Sequence, residues 1–319
     1  MEVLTQQRHT KNMNIVTYRT AYFWITGLIL AGALGAILFF GLPLSIDFTG
    51  GSLIQARYQE ARPALADIQD QLAIVPIGAV SVRASGSDAV SIRSRSLTPE
   101  EHVAVLAALA QSASMDSTSS PRVTELSYTS VGPTLGGQFA NKAIWATLAV
   151  ALAITLYIAF AFRKVSRPLP SWGYGLTVIA ILAHDLVIPA GFFAVLAHFT
   201  GAEVDALFIT ALLALLGYSV NDTIVIFDRI REHLALNDKT GNKELFEQTV
   251  GKSISETMTR SINTSLTVAL ALLALVLFGA EATRNFSLVM LVGVIAGTYS
   301  SILLAAPLLI PLARKFTKK

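Results

Sequence analysis

Two acidic residues lie deep inside long apolar stretches of the sequence, where an ionisable side chain is costly and usually functional. Asp185 follows His184 about halfway along one stretch, and Asp222 follows Asn221 in the next stretch. A carboxyl group at such depth either pairs with a cation or remains protonated, and a group that alternates between these states can relay protons. Asp222 is therefore a candidate proton-relay residue, with Asn221 and Ser219 as neutral hydrogen-bonding neighbours. Asp185 and His184 are further candidates, although hydrogen bonding within a packed bundle would explain them equally well.

A cation that could serve Asp222 begins the following apolar stretch. Arg260, Asn263 and Thr267 recur at helical spacing and therefore share one helix face. Because a polar stripe that faces lipid would be expensive, we expect this face to contact other helices. If Arg260 approaches Asp222 to about 4–6 Å, its charge favours the ionised carboxylate, and separation of the pair favours the neutral acid.

Other chemistries find less support in the sequence. The chain has no Cys, which excludes a disulfide framework, an iron–sulfur cluster and a thiolate nucleophile. The run 251–253 lacks the earlier glycine of a phosphate-binding loop, and adjacent His184 and Asp185 lack the spacing of a metal pair, so we predict no metal site. Asp185 and Asp222 leave intramembrane proteolysis as a less favoured alternative, since Asn221 stands where that class of protease has glycine.

Membrane helices must position these residues. Of 319 residues, 53% are hydrophobic and only 14% are charged, whereas a soluble domain is typically about 25% charged. This composition excludes a water-soluble globular enzyme and a disordered chain. A span takes about 20 apolar residues, and six stretches qualify: 21–41, 143–162, 171–199, 205–227, 262–280 and 286–312. The first exceeds the apolar region of a signal peptide, so we expect a retained anchor.

The basic residues indicate how the spans are oriented. Sixteen of the 24 Lys and Arg lie in residues 1–20, 163–170, 229–260 and the tail 313–319, which fall on one side if six helices alternate. Positive loops face the cytoplasm, so both termini are predicted to be cytoplasmic, with a cytoplasmic loop at 229–260. Here the pI of about 9.1 reflects topology, and we expect no nucleic-acid partner.

Residues 42–141 lie across the membrane from the termini and have the composition of a soluble domain. Strands are predicted at 51–58, 80–84, 89–95 and 122–131, with helices at 62–72 and 98–112. The second helix begins with Thr98-Pro99-Glu100-Glu101, which provides an N-cap, a first-position proline and acidic first-turn residues. The order β-α-β-β-α-β predicts a small α+β ferredoxin-like extracytoplasmic domain between helices 1 and 2. The fold class is therefore a polytopic α-helical membrane protein with this domain, followed by helices 2–6 within 142–312.

Three glycine pairs could act through backbone freedom or close packing. Gly50 and Gly51 end the turn that leads into the first strand, and Gly136 and Gly137 stand where the chain returns to the membrane. We interpret these pairs as hinge or structural positions on which the domain could tilt. Gly293 and Gly297 form a G-x-x-x-G pattern in an apolar helix, which is typical of close packing and fits contact with another membrane subunit.

Several of these segments together resemble the SecD/SecF family of protein-export membrane proteins. Residues 46–51, with sequence IDFTGG, are similar to a signature that follows the first span in that family. Residues 217–232 resemble its fourth-helix signature, 260–265 the opening of its fifth helix, and His184-Asp185 a third-helix pair. The similarities run through the whole chain in order, with the topology described above.

The resemblance implies an RND-related unit of twelve helices in which this chain pairs with a SecD partner beside the SecYEG channel. Such a unit uses the proton gradient to help draw exported, unfolded polypeptide across the bacterial or archaeal cytoplasmic membrane. No catalytic residue and no cofactor are expected, protons being the coupling ion. The residues that match the family's proton site are Asp222 and Arg260. The residues alone leave a second function open, namely that the chain is half of an RND-type small-molecule or lipid transporter.

Overall fold

The computed structural model of the chain describes residues 15–59, 62–112, 123–163 and 168–317. Within these ranges, six helices are long and apolar enough to cross a membrane, as the sequence predicts. In chain order the elements are α1 (Arg19–Phe40), α2 (Ile46–Thr49), β1 (Gly51–Tyr58), α3 (Leu65–Ala73), β2 (Ser81–Ser85), β3 (Ala89–Ser94), α4 (Pro99–Ser112), β4 (Val123–Val131), α5 (Pro133–Ala161), α6 (Ser171–Thr200), α7 (Ala206–Thr240), α8 (Phe246–Phe278), α9 (Glu281–Ser300), a π-helical turn (Ser301–Ala305) and α10 (Ala306–Thr317).

Several helices extend beyond the apolar stretches. Helix α5 begins at Pro133, well before the uncharged run from 143. Helices α7 and α8 together occupy most of residues 229–260, so the connection between the fourth and fifth spans is largely helical. Charged residues continue these helices because they pair with one another: Arg229 binds both Glu232 and Glu256, and His233 Nε2 lies 2.9 Å from Glu256 Oε2. Hydropathy marks the apolar part of a helix and not its ends.

The described residues form two compact units. One contains the six membrane-length helices, and the other contains residues 43–144 together with Glu203–Asp205 from the α6–α7 connection. In the helical unit α6 is central, because 56% of its apolar window is buried, against 6% for α1 and 11% for α5. The core of the helical unit contains an aromatic cluster of Phe162, Tyr174 and Phe227.

The second unit is built on a four-stranded antiparallel sheet with the order β2-β3-β1-β4. Buried and less buried residues alternate along β1, so that Ser52, Ile54, Ala56 and Tyr58 face inward. They pack with Ile68 and Leu72 of α3 and with Val105 and Leu109 of α4. The predicted order of strands and helices is present in the structure.

The start of α4 illustrates how local sequence determines an element. The backbone N–H of Thr98 donates to Glu101 Oε2 at 2.9 Å, and the N–H of Glu101 donates to Thr98 Oγ1 at 3.3 Å. This reciprocal pair is a capping box, which satisfies N–H groups that a helix terminus would otherwise leave free. The same carboxylate binds Arg95, and these hydrogen bonds lower the pKa of Glu101 to about 2. The helix begins at Pro99, as predicted.

Candidate functional site

Helix α6 carries His184 and Asp185 through the centre of the helical unit. The same helix lies close to α1 at Gly191, where a Cβ atom would lie 2.6 Å from the Cα of Ala33. Pro189 follows Asp185 by one turn and cannot donate to the Asp185 carbonyl, which interrupts the helical hydrogen bonds at this level. Both polar side chains are buried, with Asp185 only 1% exposed.

Every oxygen of the Asp185 carboxylate is hydrogen-bonded. Oδ1 lies 2.7 Å from His184 Nδ1, while Oδ2 accepts from Ser219 Oγ on α7 and, at 3.0 Å, from Ser300 Oγ on α9. The remaining ring nitrogen of His184 lies 2.8 Å from the hydroxyl of Tyr299. We refer to His184, Asp185, Ser219, Tyr299 and Ser300 as the Asp185 network. It ties three helices together at the level where α9 passes into its π-helical turn.

Asp222 occupies a second polar position, on α7 facing α8. Its side chain is buried, with 5% residue exposure, and accepts one hydrogen bond from Ser265 Oγ at 3.3 Å. The Ser265 hydroxyl in turn accepts from Tyr218 at 3.2 Å. Ser261, one turn before Ser265, has a buried hydroxyl that interacts with the Asp222 carboxyl without meeting hydrogen-bond geometry. We refer to Tyr218, Asp222, Ser261 and Ser265 as the Asp222 site.

The two carboxyl groups are not part of one hydrogen-bonded chain in this conformation. Asp185 and Asp222 share no hydrogen-bond partner within the described ranges. Ser219, expected beside Asp222, donates instead to Asp185 on α6. Asn221 is exposed and makes no hydrogen bond to the described part of the chain, so it does not hold Asp222 here.

Arg260 directly precedes Ser261 of the Asp222 site on α8, and its side chain is exposed. Arg260 acts on Asp222 electrostatically, yet no ion pair within 4.0 Å joins these two side chains in the described structure. Arg260, Asn263 and Thr267, which we expect to face other helices, are all exposed in the single chain, so no helix in the described part of the chain covers them. The buried polar row of α8 is instead Thr257, Ser261 and Ser265, spaced by four residues. Small hydroxyl side chains allow close helix approach, whereas the larger polar residues remain outside.

Gly293 and Gly297 pack inside the chain and not against another subunit, which corrects the sequence interpretation. A Cβ atom at Gly293 would collide with the side chain of Leu215, and one at Gly297 would lie 3.1 Å from Cβ of Ser219. Both contacts are with α7. The glycines therefore bring α9 close enough to α7 for Ser300 and Ser219 to bind the same Asp185 oxygen.

The glycines near the sheet are tightly packed. Gly50 and Gly51 have positive φ angles of 72° and 126°, and Cβ atoms there would lie 2.6 Å from Pro133 Cα and Ser94 O, respectively. Gly136 abuts the Gly50 backbone, with 2.7 Å from its ideal Cβ to Gly50 N, whereas Gly137 has open space. Gly136 and Gly137 lie within helix α5, so the expected flexible re-entry segment is wrong. A substitution that tests tilting of the domain is better placed at Gly137, because a side chain at Gly51 would clash with Ser94 and disturb the fold itself.

Sequence reasoning missed the residues that complete both polar positions. Tyr299 and Ser300 close the Asp185 network, and Ser265 holds Asp222. The available signal was a cluster of polar residues at 298–301 inside the last apolar stretch, together with the four-residue spacing of hydroxyls in the fifth. Neither pattern specifies its partner, because the partners lie on helices far apart in sequence.

Comparison with known proteins places this arrangement in a family. The family model for the C-terminal region of the protein export membrane proteins SecD/SecF matches residues 111–315, and the SecD/SecF GG motif matches residues 35–61. The chain belongs to the SecD/SecF family. The matched regions contain β1 and both polar positions of the helical unit. The family membership predicted from the sequence signatures is thereby confirmed.

Individual SecD/SecF relatives match over nearly the whole chain. The protein translocase subunit SecF of Thermobaculum terrenum is 40% identical, with 93% of each chain covered, and that of Anaerolinea thermophila is 38% identical with the same coverage. The crystal structure of SecDF, a translocon-associated membrane protein from Thermus thermophilus, matches with a TM-score of 0.77 and 30% identity. The match covers 93% of this chain and 38% of that SecDF chain. The chain is accordingly a subunit of the Sec protein-translocation system.

Proposed function

We propose that this chain is the proton-coupled SecF half of a SecDF complex, which uses the proton gradient to assist late stages of protein translocation through SecYEG. The observation that carries the proposal is Asp222, a buried membrane carboxyl group with one 3.3 Å hydrogen bond and no cation paired with it in the described structure. Its substrate would be the exported, unfolded polypeptide, and protons would be the coupling ion.

A buried carboxyl group is tolerated in two forms. In a low-dielectric interior it is stable as the neutral acid, or as an anion that is paired and hydrogen-bonded. Asp222 has hydroxyl neighbours that can donate to either form, namely Ser265 and the otherwise unpartnered Ser261. A change in the distance of a cation would therefore decide whether Asp222 holds or releases its proton.

Arg260 is the cation that we assign to this role. It is exposed on α8, is within electrostatic range of Asp222 and is not ion-paired with it. A conformation with the pair in contact would release the proton, and the separated conformation would rebind it. Moving one elementary charge through the membrane potential is worth about 2.3 kcal/mol per 100 mV, which is enough to bias two states that differ by a few kcal/mol.

A SecD partner accounts for the exposed polar stripe. Asn221 on α7 and Arg260, Asn263 and Thr267 on α8 are exposed in the single chain, and such groups would be expensive against lipid. The matched SecDF chain is much longer than the region similar to this chain. We propose that a SecD subunit covers this stripe, so that the environment of Arg260 is completed only in the complex.

The proposal includes the orientation in the bacterial or archaeal cytoplasmic membrane. The concentration of Lys and Arg in residues 1–20, 163–170, 229–260 and 313–319 supports cytoplasmic termini. The sheet unit would then be extracytoplasmic. Its strand order β2-β3-β1-β4 with two helices supports a ferredoxin-like fold for this domain.

The test uses membrane vesicles reconstituted with SecYEG, a SecD partner and this chain, in which export is measured with and without a proton gradient. Asp222→Asn retains the shape of the side chain but cannot titrate. We expect it to assemble with SecD, to support ATP-driven export fully and to lose the gradient-dependent increase. Arg260→Met should lose the same increase, because Asp222 would then remain protonated.

Asp228→Asn is the matched control, since Asp228 is an exposed residue of the same helix that pairs with Arg231. It should retain nearly all of the gradient-dependent increase. Full gradient-dependent export by well-assembled Asp222→Asn vesicles would contradict the proton-relay assignment.

A further inference from the structure

The short connection between α6 and α7 is folded into the sheet unit. The backbone N–H of Ser45 donates to Val204 O at 2.8 Å, and the N–H of Val204 donates to Pro43 O at 2.7 Å. Leu44 and Val204 thereby form a parallel β-bridge. The stretch Glu203–Asp205 thus belongs to the same compact unit as β1–β4, although α6 and α7 flank it in sequence.

Side chains strengthen this attachment around one carboxylate. Glu203 Oε1 lies 3.1 Å from Arg83 Nη1 on β2 and 3.0 Å from Arg93 Nη1 on β3. Arg93 also donates to Leu44 O at 3.0 Å and to Thr49 Oγ1 at 2.6 Å. One guanidinium therefore joins the α6–α7 connection, the segment before β1 and the sheet. We call Leu44, Arg83, Arg93, Glu203 and Val204 the Glu203 clasp.

The elements that lead into the clasp carry both buried carboxyl groups. Helix α6 contains Asp185 and ends at Thr200, where Gly201 adopts a left-handed conformation with φ 72°. Helix α7, which contains Asp222, begins at Ala206. Only five residues, 201–205, separate the two helices.

We propose that Glu203 and Arg93 are coupling residues, which keep the clasp closed so that movement of α6 and α7 is transmitted into the sheet unit. This inference rests on the proposed function and identifies where its proton-driven movement would reach the extracytoplasmic domain. An arginine suits such a node because its planar group binds several acceptors at once in fixed directions. A single exposed ion pair contributes little, but here two ion pairs and two backbone hydrogen bonds act on the same connection.

The experiment uses the complete reconstituted complex with SecD and SecYEG. Glu203→Ala removes both ion pairs, and we expect it to lose most of the gradient-dependent export while ATP-driven export and assembly are retained. Asp88→Ala is the matched control, because it breaks the exposed Arg57–Asp88 pair, 3.2 Å apart, in the same sheet unit without touching the connection. It should leave gradient-dependent export unchanged.

A reversible cross-link distinguishes coupling from a merely structural role. The chain lacks Cys, so Leu44→Cys/Val204→Cys introduces a unique pair at bridged positions. Paired strands lie about 4.8 Å apart, within the Cα separation that a disulfide spans. Combined with Glu203→Ala, oxidation should restore gradient-dependent export, and reduction should abolish it again. In the otherwise unchanged chain, oxidation should have no effect, since the clasp is already closed.

The outcomes separate this inference from the proposed function. If the unchanged chain shows gradient-dependent export that Asp222→Asn abolishes, the proposed function stands. The inference is then overturned if Glu203→Ala behaves like Asp88→Ala, if oxidation fails to rescue Glu203→Ala, or if oxidation alone abolishes the gradient-dependent export. If the unchanged complex shows no gradient-dependent export, the proposed function itself fails.

Discussion

Two buried aspartates on neighbouring helices have opposite degrees of hydrogen-bond satisfaction. Asp185 is held by His184, Ser219 and Ser300, which come from three helices, and its network continues to Tyr299. Asp222 receives one hydrogen bond, at 3.3 Å, and the nearby Ser261 hydroxyl interacts with it without meeting hydrogen-bond geometry. The same residue type at similar burial therefore occupies a complete network in one place and an incomplete site in the other.

The difference suggests a division of roles. A fully satisfied buried network is rigid and specifies one packing arrangement, since any movement leaves polar groups unpaired. An incompletely satisfied site can exchange partners at little cost, which a titrating group requires. We therefore interpret the Asp185 network mainly as the element that holds α6, α7 and α9 together, and the Asp222 site as the one that changes state.

Removal of the two carboxylates should separate these roles most strongly. Asp185→Ala leaves Ser219, Ser300 and His184 without their buried acceptor, which should lower the free energy of unfolding by about 2–5 kcal/mol. Asp222→Ala removes one weak hydrogen bond and should lower it by less than about 1 kcal/mol. Thermal unfolding of the purified chain in mild detergent measures both, and equal losses of stability would contradict the comparison.

Packing between α7 and α9 should affect the Asp185 network and not the Asp222 site. Gly293→Val forces a side chain into Leu215, and such overpacking typically costs about 1–3 kcal/mol. Gly217→Ala is the matched control, because Gly217 on α7 has open space and alanine favours a helix. Unfolding temperatures should fall for Gly293→Val and hold or rise for Gly217→Ala. Similar behaviour of the two variants would mean that close approach at Gly293 is unimportant.

The outermost hydrogen bonds provide the smallest and sharpest test. Tyr299→Phe removes the contact of 2.8 Å with His184, and Tyr218→Phe removes the contact of 3.2 Å with Ser265. We expect a loss of about 1 kcal/mol for Tyr299→Phe, and a smaller loss for Tyr218→Phe, since membrane hydrogen bonds average about 0.6 kcal/mol. The two variants match in chemistry, so a reversed order in unfolding temperature would show that the Asp185 network is the looser one.

Local features of the sheet unit were predictable from sequence. The capping residues Thr98 and Glu101, the alternation along β1 and the order of its elements depend on neighbours in the chain. The six membrane-length helices were equally predictable, because apolar length is a local property. The ends of these helices were not predictable. Helix α7 continues to Thr240 and helix α8 begins at Phe246, because charges on one helix pair with charges on the other.

The chemically exceptional residues could be recognised from the sequence, because a carboxyl group inside an apolar stretch is conspicuous wherever the helix lies. Their partners depend on the fold: Ser219 donates to Asp185, Asn221 is exposed, and Arg260 is not ion-paired with Asp222. Helical periodicity specifies which residues share a face but not which helix that face meets. That choice depends on close contacts such as Gly297 against Ser219, between residues distant in sequence. Partner selection is therefore a property of packing and not of spacing.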